Sequence, residues 1–271
     1  MDSGQSSFTD LEYGNRRRVS KRERFLEQMD ATIPWAVWVG LIEPYYYTNT
    51  AGKRGRKAKP IETMLRMYLL QVWFNLSDEA VEDQINDSYA MRQFMRLDFD
   101  QRQVPDATTL LHFRHLVEKH GLGRAMFDAI NRVFDANGWI MRGGTVVDAT
   151  IIDAPSSTKN KARARDPEMS STKKGNAWYF GMKAHIGVDA DSGVTHSLDT
   201  STAKLHDSQV WDKLLHGNET SVWADKAYVS AEREAHFKGP DKFWGVMRKA
   251  PKGGRLHPTD EQINRIIARV R

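Results

Sequence analysis

The 271-residue chain contains no cysteine. That excludes a disulfide scaffold, thiolate zinc sites and thiol catalysis, and it fits a reducing compartment. Long hydrophobic runs are missing as well. The longest uncharged stretch near the start, residues 31–42, is interrupted by Pro34 and falls well short of the ~20 apolar residues of a spanning helix. The first 15 residues are polar and include Asp2, Asp10 and Glu12, unlike a signal peptide. The sequence has no HExxH, P-loop, GxGxxG or GxSxG pattern, which weighs against zinc proteases, NTPases, dehydrogenases and serine hydrolases. The expectation is a soluble cytoplasmic protein with no membrane partner.

Hydrophobic residues make up 40% and charged residues 28% of the chain, enough for a buried core and too apolar for disorder throughout. Lys plus Arg is 40 against 35 Asp plus Glu, a net charge of +5 and a pI near 9.3. The excess is small, but it is clustered. Residues 16–24 hold Arg16, Arg17, Arg18, Lys21, Arg22 and Arg24; residues 53–60 hold Lys53, Arg54, Arg56, Lys57 and Lys59 without an acid. A third cluster runs through Lys159, Lys161, Arg163, Arg165, Lys173, Lys174 and Lys183, with Trp178, Tyr179 and Phe180 interleaved. A fourth includes Lys238, Lys242, Arg248, Lys249, Lys252 and Arg255. Most charge runs are solvated faces; several interleaved with aromatics suit nucleic acid, because cations neutralise phosphates and rings stack on bases. Arg54, Arg56, Lys57, Lys159, Lys173, Lys174, Lys183, Arg248 and Lys249 are the candidate DNA contacts.

Apolar residues recur at helical spacing from Phe25 to Phe134. Pro34 breaks the first run; Ile61, Met64, Leu65, Tyr68, Leu69 and Val72 mark a long helix after Pro60. Ser77 is placed to cap a helix from Asp78, and Gly121 and Gly138 end two more. Beyond Gly143-Gly144 the pattern changes. Residues 145–152 are β-branched and predict a buried strand. Residues 159–174 predict a surface loop. Residues 182–189 and 194–199 predict a hairpin turning at Asp191-Ser192-Gly193. Alternating helices and strands follow, ending in a helix from Thr259 capped by Thr259 or Asp260. The organisation expected is a basic arm (1–24), an all-α domain (25–138) and a mixed-sheet domain (139–271), α+β / α/β in class.

Two carboxylates stand out. Asp148 lies inside the strand 145–152, and Asp225 ends the strand 222–225. An acid in a buried strand is costly unless paired, hydrogen-bonded or metal-bound. Aspartates on adjacent strands can hold divalent cations, and Mg²⁺ suits carboxylates plus phosphate oxygens. Asp153, Asp189 and Asp199 compete for that role, and Asp225 can equally cap a turn. His206-Asp207 reads as a helix N-terminus rather than a phosphohydrolase motif.

Five segments carry a resemblance over nearly the whole chain, from about Arg18 to Arg271. They are Lys59-Pro60-Ile61-Glu62-Thr63-Met64-Leu65-Arg66 with Trp73-Phe74-Asn75-Leu76-Ser77-Asp78; Pro105-Asp106-Ala107-Thr108-Thr109 with Phe113-Arg114-His115-Leu116; Val147-Asp148-Ala149-Thr150-Ile151-Ile152 with Ala154-Pro155-Ser156-Ser157-Thr158; Lys173-Lys174-Gly175-Asn176 with Trp178 and residues 180–189; and Ala224-Asp225-Lys226-Ala227-Tyr228. The sequence resembles bacterial insertion-sequence transposases of the IS5 group, within the IS4-type DDE transposases. The resemblance implies an RNase H-like catalytic domain with Asp148 and Asp225 as the first two acids of the triad and as metal ligands. It implies Mg²⁺ (or Mn²⁺), double-stranded DNA at element ends and target, a homo-oligomer on DNA, and a bacterial, nucleoid-associated setting. The helical domain is similar to the family's N-terminal domain, expected to help recognise terminal inverted repeats. The implied reaction is cleavage at those repeats followed by strand transfer, both phosphoryl transfers.

Two departures bear on activity. The second acid stands in Asp225-Lys226-Ala227-Tyr228, where the family usually reads Asp-Ala-Gly-Tyr. Arg271 matches the Arg of the family's Arg-x-x-x-Glu pattern, which sets the Glu about four residues past residue 271. Glu261 lies about ten residues too early, near 15 Å along a helix. The expectation is therefore a C-terminally truncated transposase with impaired cleavage, the alternative being a catalytically dead DNA-binding inhibitor of transposition.

Overall fold

In the computed structural model, residues 16–46, 57–97, 103–156, 158–159 and 163–271 are described. Arg54 and Arg56 lie outside them. The chain divides into two compact units, Met1–Val133 and Phe134–Arg271.

The first unit is helical, as its 3.6-residue periodicity predicts. Ser20 accepts the Glu23 N–H and starts α1 (Lys21–Thr32); α2 (Trp35–Ile42) follows Pro34. After Pro60 comes α3 (Ile61–Phe74), which stops where Asn75 turns left-handed at φ 50°. Ser77 caps α4 (Asp78–Asp87) through the Ala80 N–H, as expected, and Ser88 caps α5 (Tyr89–Met95). Asp106 caps α6 (Ala107–Lys119), and α7 (Leu122–Ala136) runs on into the second unit. The aromatic and aliphatic residues of these helices form one core, with Met64, Leu65, Leu70, Ile85, Met91 and Leu110 fully buried. A cation lies within it: Arg66 is 1% exposed.

The second unit is built on a six-stranded mixed sheet. β1 (Gly144–Asp153) is central. It pairs antiparallel with β3 (Ala177–Asp189) on one side and parallel with β5 (Ser221–Ala224) on the other. β4 (Thr195–Thr202) lies antiparallel to β3, and β6 (Phe243–Val246) parallel to β5. Around the sheet are α8 (Trp211–Leu214), α9 (Ala231–His236) and α10 (Pro258–Val270). Val147, Val222, Ala224, Val246, Trp211, Leu214 and Tyr228 form its core. β4, β3 and β1, antiparallel, are continued by parallel β5 and β6, and with helices these form the mixed sheet of an α+β RNase H-like domain.

Four expectations are corrected. The segment 159–174 is not loop throughout: Ser170–Lys174 forms β2, antiparallel to Ala177–Gly181 of β3. Its polar sequence gives no strand signal; the long β3 offers it an edge. β1 is not buried on both faces. Val147 is fully buried while Asp148 and Ile152 on the opposite face are exposed. The helix expected from Asp207 is instead a 3-10 turn, Asp207–Val210, capped by His206, followed by the short α8. α10 is capped by His257 rather than Thr259 or Asp260.

Candidate active site

Strand register relates Asp148 to Asp225. β1 and β5 are parallel, with Gly144 level with Ser221, Thr145 with Val222 and Val146 with Trp223. Two residues further along the same register set Asp148 level with Asp225. The core fixes this alignment: Val147, Val222 and Ala224 are buried on one face, and slipping one strand by a residue would turn its apolar side chains outward. Asp148 points from the opposite, open face and is 53% exposed. Asp225 directly follows β5 and caps the 3-10 turn Lys226–Tyr228, its Oδ1 accepting the Ala227 N–H at 2.7 Å. The structure thus shows the capping role that the sequence also allowed for Asp225.

Two further groups reach these acids. The Arg271 guanidinium at the end of α10 lies 3.1 Å from the Asp148 carboxylate. Tyr228 is 1% exposed, and its hydroxyl has no hydrogen-bond partner among the described atoms. Burial pushes the phenol well above its ordinary pKa, and the negative charges of Asp207, Asp148 and Asp225 push it further. Tyr228 follows Asp225 by three residues, one 3-10 turn, so its spacing was visible in the sequence; its orphaned hydroxyl was not. An unpaired buried hydroxyl costs roughly 1–3 kcal/mol. Tyr228→Phe is therefore expected to keep or raise stability, by about 1 kcal/mol, in thermal or urea unfolding of the whole chain. A loss of that size would show that the hydroxyl has a partner in solution.

The competing acids have other tasks. Asp189 is fully buried at the end of β3. Burial raises its pKa, but hydrogen bonds from the Ser192 N–H and hydroxyl and from the Arg142 and Asp191 N–H groups outweigh that and hold it below the usual carboxylate range. It closes the turn to β4. Asp199 pairs with Lys213, and Asp153 accepts the Phe180 N–H. Asp207 accepts from Lys183 at 2.7 Å, and the same ammonium donates to the Leu205 carbonyl.

Lys183 is thus turned inward, its side chain 12% exposed. Lys57, Lys159, Lys173, Lys174 and Lys249 are exposed, and Arg248 is half-buried beside Glu234. Lys173 and Lys174 stand together on β2; Lys57 belongs to the first unit.

Among the described residues no group of three or more His, Cys, Asp and Glu gathers in a way that would hold a metal. Mg²⁺ does not need one, since it binds through one or two carboxylates plus water and phosphate oxygens. Two carboxylates, one exposed on β1 and one directly after β5, fit such an ion. No helix among the described residues is long and apolar enough to cross a membrane.

No solved structure matches the chain. Residues 15–116 match the family described as Transposase domain (DUF772), and residues 139–271 match the Transposase DDE domain. DDE transposase domains generally use divalent metal ions and act on DNA. The two matches, one over most of the helical unit and one over nearly all of the sheet unit, indicate a DDE transposase.

Proposed function

We propose that this transposase is of the IS5 group, binds the terminal inverted repeats of its element as a homo-oligomer on DNA, and uses Mg²⁺ (or Mn²⁺) held by Asp148 and Asp225 for cleavage and strand transfer. The observation that carries this reading is the register that sets the two aspartates level at adjacent strands, one of them free of the sheet's packing. When bound, a divalent ion supplies charge neutralisation and activation of water or a 3′-hydroxyl at the phosphate. The chain's part is to present two fixed carboxylates, with Arg271 as a counter-charge. Lys57, Lys159, Lys173, Lys174, Arg248 and Lys249, with Arg54 and Arg56 outside the described residues, supply phosphate contacts; the inward Lys183 instead anchors Asp207. The setting is the bacterial cytoplasm, at the nucleoid.

Residues 1–271 place an arginine at Asp148 and gather no third carboxylate with the pair among the described residues. A polypeptide of those residues is expected to bind end DNA and to cut it poorly, which also favours the second reading, an inhibitor that occupies element ends. Duplexes bearing the terminal inverted repeat test both parts. Binding should weaken roughly a hundredfold between about 50 and 200 mM salt if about four phosphates are neutralised; a flat salt response would remove the basic-cluster argument. Efficient Mg²⁺-dependent cutting by this polypeptide would overturn the impairment and leave the site intact. Binding without cutting would favour the inhibitor.

A further inference from the structure

β3 is longer than the sheet it belongs to. β1 pairs with it from Gly181 onward, Phe180 is still held on that side by the Ala154 N–H and the Asp153 carboxylate, and residues 177–179 continue beyond, paired with β2 as a two-stranded ribbon. Lys174 pairs with Ala177, so the ribbon closes through Gly175-Asn176. Gly175 has φ 61°, which fits a two-residue hairpin turn with glycine first. A two-stranded ribbon is marginal by itself in water. This one nevertheless carries Trp178 near its tip, 70% exposed, directly opposite Lys173. The ribbon, residues 170–181, contains Lys173 and Lys174 and no acid.

Register relates this ribbon to the candidate active site. Asp148 is level with Ile186. Trp178 is eight residues from Ile186, an even number, so Trp178, Phe180 and Asp148 emerge on the same face. At about 3.3 Å per residue the separation along the strand is about 26 Å. A B-form duplex advances about 3.4 Å per base pair, so the same span is about eight base pairs.

We infer that the β2–β3 ribbon is a DNA-gripping finger, lying in a groove of the duplex about eight base pairs from the scissile phosphate, with Trp178 packed on the bases or sugars and Lys173 and Lys174 on the backbone. A major groove about 12 Å wide admits a two-stranded ribbon. The acid-free, lysine-bearing ribbon complements phosphate rather than a protein face of mixed charge. The inference rests on the DNA-end-binding reading above and adds the element, the anchor residue and the distance from the cut.

The whole 271-residue chain, its Trp178→Ala and its Trp178→Phe forms are compared by fluorescence anisotropy. The probes are duplexes bearing the terminal inverted repeat, trimmed stepwise from either side of the cut. Trp178 is exposed, so unfolding midpoints should match across the three proteins. On long duplexes Trp178→Ala is expected to weaken binding about ten- to a hundredfold, and Trp178→Phe much less. That ratio should collapse toward one when DNA on one side is trimmed inside about eight base pairs of the cut. Equal affinity of Trp178→Ala and wild type on long duplexes overturns the finger while leaving end binding in place. A ratio indifferent to trimming overturns the distance. A change in self-association by sedimentation, with DNA affinity unmoved, would assign the ribbon to a second copy of the chain instead. Failure of the wild-type chain to bind any end duplex removes the end-binding reading and the finger with it.

Discussion

Asp148→Asn is expected to lower divalent-ion-dependent DNA cleavage by on the order of a thousandfold, since a lost metal ligand removes several kcal/mol of transition-state stabilisation. The same change should leave the fold nearly untouched. Asp148 is 53% exposed, and its ion pair with Arg271 is of the solvent-screened kind that contributes about 0–1 kcal/mol. Asn keeps the size of the side chain and removes the charge that the ion needs. Mn²⁺ binding followed by electron paramagnetic resonance or calorimetry is the second readout, and it should fall by at least about tenfold. Asp225→Asn should behave alike, because Asn also serves as a helix-type cap and can still accept the Ala227 N–H. Unchanged Mn²⁺ affinity in both variants would remove the pair from the metal site.

Arg66→Ala is expected to destabilise the protein by about 3–5 kcal/mol, the range for removing one member of a buried ionic group. Arg66 sits at 1% exposure inside the helical core. Its Nε donates to Glu62, one terminal nitrogen to the Phe94 carbonyl at 2.7 Å and the other to Asp30 at 2.7 Å. The guanidinium also lies 3.9 Å from the Trp35 ring centroid, a further cation–π contribution. Alanine leaves a cavity, a carbonyl without its donor and a half-neutralised Asp30. Lysine cannot serve three acceptors in one plane, so Arg66→Lys should rescue only part of the loss. Urea unfolding of the whole chain, read at tryptophan, measures both; a loss below about 1 kcal/mol for Arg66→Ala would contradict the hub assignment.

The pH dependence has a defined sign. Burial raises the Asp30 pKa, but hydrogen bonds and charge from Arg66 and Arg96 outweigh it and hold the folded value below the ordinary 3.8. A carboxylate depressed on folding contributes stability that is present above its unfolded pKa. That contribution is lost as pH falls through the lower, folded value. The gap between wild type and Arg66→Ala should therefore narrow only in acid, below about pH 4.

The helices were legible because each carries its own punctuation: Ser77 before Asp78, Pro34 between two apolar runs, Gly121 and Gly138 after the last periodic residues. β1 was legible as a β-branched run and β5 as a short apolar segment, with Asp148 inside the first and Asp225 just after the second. β2 was not, since Ser170-Ser171-Thr172-Lys173-Lys174 has no apolar alternation and pairs only because residues 177–181 present an open edge. The density of Val146, Val147, Ile151 and Ile152 read as burial on both faces, yet Ile152 is 51% exposed, because local composition does not say which face a neighbour will cover. Arg66 looked like one more charge on an amphipathic helix. Its partners Phe94 and Asp30 are 28 and 36 residues away, beyond the reach of any periodicity.

The sequence by itself determined the succession of a helical unit and a mixed-sheet unit, the absence of thiol chemistry and the two aspartates worth testing, because propensity, capping and residue type act within a few positions. Only the tertiary structure decided that Asp148 stands level with Asp225, that Arg271 reaches Asp148, that Tyr228 keeps an unpaired hydroxyl beside them and that Trp178 projects on the same face. Those are matters of register and packing between segments far apart in the chain, set by which apolar faces must be buried together.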